Sequence, residues 1–271
     1  MNYIIAIDSD GTLRRSDGEI SKCTKEAISK QIKKKNVVVI CTARPRYHTL
    51  KISNEAGASN YLISSNGSEI FDSENQKIIW ATYLKAADCQ KLYDYAQANN
   101  LRIMFVLENT EYVTRFVRNN SQILLTEKNL IEVLEGKVKQ AMIIGKEKEK
   151  IMRFKKIVQT EYKMNILDSS KKDNIETWFS VVSNDASKGR ALLKLAEYLN
   201  ISSQNIIAIG NDNNDISMFK IAKISAAVSN GTKETLKNAD IIIKSNDEDG
   251  VALFLDELGF INTGGKRSFC D

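Results

Sequence analysis

A single proline, Pro45, and a single histidine, His48, serve the whole 271-residue chain. Without a Pro-rich stretch no linker is marked, so domain limits must be read from pattern. One histidine cannot build a His-based metal cluster, and His48 is read as structural. The four cysteines, Cys23, Cys41, Cys89 and Cys270, show no C-x-x-C spacing. They are read as free thiols of a reducing compartment, not as a zinc site. No uninterrupted apolar run approaches the roughly 18 residues of a membrane span. Residues 1–7 lack the basic region, longer apolar run and cleavage site of a signal peptide, so a soluble, cytoplasmic protein is expected. Also missing are a glycine-rich dinucleotide loop after the first apolar run and any G-x-x-x-x-G-K, which disfavours nicotinamide-dependent dehydrogenases and P-loop NTPases.

What is present is ordinary globular composition, 42% hydrophobic and 27% charged. The length suggests about two domains at roughly 150 residues each. The net charge of +5 is scattered. Lys33-Lys34-Lys35 stands apart from residues 146–150, where the signs alternate, so both read as solvated helix faces. Nucleic-acid binding would concentrate the basic residues on one face; neither nucleic acid nor membrane is expected as a partner. A positive excess does suit attraction of small anions.

Short, continuous apolar runs alternate with amphipathic stretches. Residues 3–7, 37–40, 61–63, 206–209, 224–228 and 241–243 read as buried strands, and 21–35 and 188–199 as helices with one apolar face. Unbroken apolar strands alternating with helices argue a parallel sheet covered on both sides. Between about residues 80 and 182 the pattern changes: helical stretches 85–99 and 146–162 mix with strands 102–106, 139–144 and 178–182. This is enough for a second α/β unit inserted into the first. The expected division is 1–80 plus 186–271 for the core and 81–185 for the insertion.

Four short segments fall at strand ends or at a helix start, where open parallel sheets bind ligands. Asp8-Ser9-Asp10-Gly11-Thr12 follows the first strand. Two carboxylates two residues apart suggest a divalent-cation site with oxygen ligands, or a nucleophile beside a proton-transfer group. Thr42-Ala43-Arg44 follows the second strand and offers a hydroxyl and a backbone N–H to an oxyanion. Lys188-Gly189 opens a helix, where the dipole disfavours a lysine and invites a compensating anion. Gly210-Asn211-Asp212-Asn213-Asn214-Asp215 is a dense patch of hard oxygen donors after another strand.

At these segments the chain resembles the haloacid-dehalogenase-like (HAD) superfamily of aspartate-nucleophile phosphatases, in particular its Cof-type (class IIB) branch. The resemblance covers nearly the whole chain. Asp8 to Leu13 reads D-x-D-G-T-L; Thr42 to Arg44, Asn66-Gly67, Lys188-Gly189, the 210–215 loop and the 246–252 stretch N-D-E-D-G-V-A continue it. It implies an α/β fold, a Rossmann-like parallel-sheet core with an inserted α/β cap that sets substrate specificity. It further implies a Mg2+-dependent phosphomonoester hydrolase acting on a sugar phosphate or another small phosphorylated metabolite. In that reading Asp8 attacks phosphorus and Asp10 is the general acid and base. Ser9 and Ala43 (through their amides), Thr42, Lys188 and Asn214 hold the phosphoryl oxygens. Asp8, Asp10, Asn211 and Asp215 form the metal-site candidates, with Asp215 also able to orient Lys188 or a metal-bound water.

Two positions depart from the family pattern. Asn211 stands where the family usually has Asp, which removes one negative charge and should weaken Mg2+ binding; Asp212 or Asp215 is the residue that could compensate. Ala43 replaces the usual Gly, and a left-handed backbone there would be strained. Alternatives on the same residues are a phosphomutase or phosphotransferase, and a non-catalytic phosphate-ligand binding protein. Trp178, Phe179, Tyr112 and Arg115 could line a leaving-group pocket, although aromatics usually belong to the core. Arg14, Arg15 and Arg44 lie close in sequence to the proposed centre, the first two read as solvated surface.

Overall fold

A computed structural model describes residues 2–108, 110–115, 117, 122–167 and 176–261. The chain divides into two compact units, one built from the chain up to Trp80 and from Ser187 onward, the other from Ala81–Ala186.

The first unit begins with β1 (Ile4–Ile7), α1 (Lys22–Lys33), β2 (Val37–Cys41), α2 (Arg46–Ala56), β3 (Tyr61–Ser64), β4 (Glu69–Asp72) and β5 (Lys77–Ala81). The second holds α3 (Ala86–Ala98), β6 (Arg102–Val106), β7 (Glu111–Val113), β8 (Gln122–Leu124), α4 (Glu127–Glu135), β9 (Gln140–Gly145), α5 (Lys148–Thr160), β10 (Asn165–Leu167) and β11 (Thr177–Val182). The chain then returns to the first unit through α6 (Lys188–Tyr198), β12 (Ile206–Gly210), α7 (Ile216–Phe219), β13 (Ile224–Val228), α8 (Lys233–Asn238), β14 (Ile241–Ile243) and α9 (Gly250–Ile261).

The core sheet has eight strands in the order β14-β13-β12-β1-β2-β3-β4-β5. Pairing is parallel from β14 through β3. Successive residues of β1 point into opposite layers: Ile5 and Ile7 join α1 and α9 side chains, whereas Ile4 and Ala6 pack with Leu192 and Leu195 of α6. A strand covered on both faces has no solvent side to make polar, which is why these runs are apolar without alternation. This is the doubly covered parallel sheet expected from the pattern, and the Rossmann-like α/β core that the resemblance implies.

One part of the sheet departs from that expectation. Beyond β3 it is no longer parallel: β4 folds back antiparallel, with Ser64 opposite Glu69 and Tyr61 opposite Asp72. Glu69 is fully buried in this strand. Arg46 Nε donates to Glu69 Oε1 at 2.7 Å, Ser64 Oγ donates to the same oxygen, and the Arg46 guanidinium lies over the Phe71 ring.

The second unit carries a six-stranded sheet, β10-β11-β9-β6-β7-β8, antiparallel except between β7 and β8. Its core gathers Leu92 of α3, Val133 of α4 and Phe154 of α5 with Ile103, Phe105, Ala141, Ile143 and Val181 from one face of the sheet. Tyr112 and Phe179 belong to this core, which removes them as pocket-lining candidates.

Candidate active site

Register positions the loops before any side chain is considered. Ile7 pairs with Ile40 on one side and Ile209 on the other. The residues that follow these strands, Asp8, Thr42 and the 210–215 loop, therefore emerge together at one edge of the sheet, where parallel α/β folds bind ligands. Lys188 is the first residue of α6, whose N-cap Ser187 accepts the Arg190 N–H at 3.1 Å.

Lys188 is completely buried, and its Nζ donates to Asp8 Oδ1 at 2.6 Å and to Asp215 Oδ1 at 2.5 Å. The anion anticipated opposite this lysine is thus a pair of carboxylates from the protein itself. Burial opposes the Lys188 charge, but Asp215 and Asp8 outweigh it and hold the ammonium protonated. Burial raises the Asp8 carboxyl to about 7; Lys188 pulls it back, while Asp215 and Asp10 add to the rise. One cation between two buried carboxylates leaves a negative charge poorly solvated, a setting in which a further cation is favoured.

Asp215 has both oxygens engaged. Oδ1 takes Lys188, and Oδ2 accepts the backbone N–H groups of Asn211 at 2.9 Å and Asp212 at 3.0 Å. Gly210 makes room for it: a Cβ there would stand 2.5 Å from the Asp215 carboxylate carbon. Asp212 caps the Asn213–Asp215 turn, accepting the Asn213 N–H at 2.7 Å.

Hard oxygen donors suited to Mg2+ stand in the cluster. Lys188 occupies one Asp8 oxygen and leaves the other, and the Asn211 side chain packs against Gly11, with its Oδ1 accepting from Thr12 Oγ1 at 3.0 Å. Asp8 and Asn211 thus offer oxygen donors of the kind Mg2+ prefers, with a single carboxylate between them. No group of three His, Cys, Asp or Glu residues disposed to hold a metal occurs among the described residues.

The phosphate-site candidates converge at the same edge. Ser9 Oγ and Thr42 Oγ1 share a hydrogen bond of 3.0 Å, and the Arg44 N–H reaches Thr42 Oγ1 at 3.3 Å. Ala43 is not among the residues with a positive φ, so its side chain carries no left-handed strain. Asn214 is buried, and its Nδ2 donates to Asn66 Oδ1 at 2.9 Å.

Three features escaped the sequence reading. Arg44 grips Asp10 with both edges of its guanidinium, at 2.6 and 2.7 Å. Arg15 is no solvated bystander, since its Nη2 donates to Asp249 Oδ2 at 2.7 Å. Finally, the 246–249 stretch braces the loop after β1: Asn246 Nδ2 donates to the Arg14 carbonyl, and Asp247 accepts from the Ser16 N–H and hydroxyl. The motif at 246–252 gave a signal for this brace, but nothing in it named the partner.

Comparison with known proteins agrees with this architecture. A family model described as haloacid dehalogenase-like hydrolase matches residues 5–255. The chain belongs to that family. A 5-amino-6-(5-phospho-D-ribitylamino)uracil phosphatase of Bacillus subtilis is 28% identical over 298 residues, covering 94% of this chain and 97% of its own. Among solved structures, a haloacid dehalogenase-like hydrolase from Bacteroides thetaiotaomicron superposes with a TM-score of 0.83 at 25% identity, over 95% of this chain and 100% of that one. A HAD subclass IIB sugar phosphatase gives a TM-score of 0.81 at 18% identity, over 95% and 99% of the two chains, and shares the fold. No helix among the described residues is long and apolar enough to cross a membrane.

Proposed function

We propose that this HAD-family hydrolase is a Mg2+-dependent phosphomonoester hydrolase working through an aspartyl-phosphate on Asp8. The observation that carries the reading is the buried Asp8–Lys188–Asp215 cluster at the mouth of the sheet, next to the Ser9–Thr42 hydroxyl pair. A carboxylate held by one lysine is oriented for in-line attack, and the lysine can share its protons with an incoming phosphoryl oxygen.

Asp8 attacks phosphorus as the bond to the substrate alcohol breaks, and Asp10 gives that alcohol its proton. Asp10 then takes a proton from water, which attacks the aspartyl-phosphate, releases phosphate and restores Asp8. Thr42, Lys188, Asn214 and the amides of Ser9 and Ala43 hold the phosphoryl oxygens as charge redistributes. Asp215 keeps Lys188 aimed at Asp8. Mg2+ on Asp8, the Asp10 carbonyl and Asn211 would offset repulsion between the carboxylate and a phosphate carrying about −1.5 to −2 charges.

The inserted unit, expected over residues 81–185, supplies leaving-group specificity. Relatives named as ribitylamino-uracil and sugar phosphatases favour a small polyhydroxylated phosphate ester as substrate. The free thiols of Cys23, Cys41 and Cys89 suit a reducing, cytoplasmic location.

A panel of phosphate monoesters, assayed with and without Mg2+, tests the proposal. Free phosphate is expected from at least one ester, with loss on EDTA treatment and in Asp8→Asn. Turnover retained in Asp8→Asn removes the covalent route. Unchanged free phosphate alongside an isomerised product indicates a mutase, and tight binding without turnover indicates a binding protein.

A further inference from the structure

Ser65, Asn66 and Gly67 form a short turn between β3 and β4, and all three are left-handed, with φ of 49°, 58° and 85°. Back-to-back left-handed residues that are not glycine are costly, and they persist where the surroundings over-determine them. Here the constraints are visible. The Ser65 N–H donates to the Arg44 carbonyl at 2.8 Å, and the Asn66 N–H to the Thr42 carbonyl at 3.0 Å. On the other flank, a Cβ on Gly67 would lie 2.3 Å from the Ser187 carbonyl oxygen and 2.7 Å from the Lys188 nitrogen. The turn is wedged between the segment carrying Thr42 and the one carrying Lys188.

The Asn66 side chain, 1% exposed, adds a third connection by accepting from Asn214 Nδ2 at 2.9 Å. Asn214 Oδ1 is buried without a hydrogen-bond donor among the described residues. Asn66 is therefore the group that fixes the plane of the Asn214 amide. With one N–H engaged, the direction of the second is set by geometry.

We infer that Asn66 is a positioning residue for phosphoryl transfer: its side-chain oxygen aligns the Asn214 amide and its main chain seats Thr42. The inference rests on the phosphatase reading above and deepens it. Asn66 acts through Asn214 and is not assigned contact with the substrate.

The test is a double-mutant cycle on kcat, KM and the inhibition constant of orthovanadate, an analogue of the transferring phosphoryl group. Asn66→Gly keeps the left-handed backbone and its bond to Thr42 while removing the amide. It is expected to lower kcat by about 10- to 100-fold and to raise the vanadate constant by about tenfold, with KM moving less. In an Asn214→Ala background the same change is expected to cost nothing further. Wild-type kcat and vanadate affinity in Asn66→Gly, or penalties that multiply in the double variant, overturn the inference. If Asn66→Gly does not fold, the cycle is run with Asn66→Ala, which also removes the accepting oxygen, and a loss persisting undiminished with Asn214→Ala overturns it equally. A wild-type chain inactive on every ester removes the phosphatase reading and this inference together; an active wild type with an indifferent Asn66 removes this inference alone.

Discussion

Arg44 holds Asp10 in a two-point grip, Nε on one carboxylate oxygen and Nη2 on the other. A planar guanidinium matched to a carboxylate fixes both position and rotation of the acid. Arg44 thus serves the protein's own anion first, and its benefit to a substrate passes through Asp10. The ion pair also holds Asp10 ionised, so one arm of the fork has to open before Asp10 can carry a proton. Under the general-acid proposal, replacing Arg44 by Gln should still harm esters with poor leaving alcohols most, because Asp10 loses its fixed position. We expect kcat on an alkyl phosphate to fall about 10- to 100-fold. On 4-nitrophenyl phosphate, whose leaving group departs unprotonated, the fall should be several-fold smaller. Arg44→Lys keeps the charge without the fork and should lie between. Equal losses on both esters would disprove a role exerted through Asp10.

Lys188 is the one cation shared by two buried carboxylates, Asp8 and Asp215. Lys188→Met leaves Asp8 and Asp215 facing each other without a counter-charge, so a destabilisation of about 3–5 kcal/mol is expected. Adding Asp215→Asn should return part of that loss, because it removes one of the stranded charges. Urea denaturation of the single and double variants measures the coupling, and strictly additive values would contradict the shared-cation arrangement.

Gly210 illustrates how tightly Asp215 is seated. Its Cβ position is already filled by the Asp215 side chain. Gly210→Ala should displace that carboxylate from Lys188, lowering kcat by about 10- to 100-fold and the melting temperature with it. A variant with unchanged activity would show that Lys188 does not depend on Asp215 for its aim.

Much of this could be read from the chain, for a physical reason. Continuous apolar strands such as residues 206–209 report burial on both faces, and short chemical segments at their ends report loop function. Contacts set by partners distant in sequence left no such trace. The local pattern predicts no strand over residues 69–72, where a buried Glu69 is stabilised by Arg46 from the start of α2, a partner that this pattern does not reveal. Arg44 carried no mark that its guanidinium would close on Asp10. Asn66-Gly67 announced a turn, but only the fold brings that turn against Thr42, Ser187 and Asn214.

The brace at 246–249 should give stability a dependence on acid. Burial tends to raise the Asp249 carboxyl, yet the neighbouring Ser21 hydroxyl and the Arg15 guanidinium outweigh this and lower it; hydrogen bonds from Ser16 lower Asp247 likewise. Groups depressed in the folded state stabilise it above their unfolded pKa, about 3.9 for Asp, and that contribution disappears as pH falls through the folded value. The melting temperature should therefore drop between about pH 5 and pH 3. Asp249→Asn should melt lower than wild type near neutrality and show a shallower fall over that interval. A parallel pair of curves would refute the linkage.

Thiol chemistry offers a check on packing. Cys23 is exposed on α1, whereas Cys41 and Cys89 are buried. Burial pushes the Cys89 thiol up to about 12, and Cys41 is raised for the same reason. In a Cys270→Ser background, one thiol should react with a disulfide reagent in the native protein and three after denaturation.

The bond from Lys188 to Asp8 spans 180 positions, and β1 is flanked by β2 on one side and β12 on the other. A ribosome making this polypeptide therefore releases Asp8 first and Lys188 long afterwards. Asp8 has no Lys188 to hold it until α6 emerges. The braces from Asn246 and Asp247 come later still, so the loop after β1 is fixed only once the segment beyond β14 has followed.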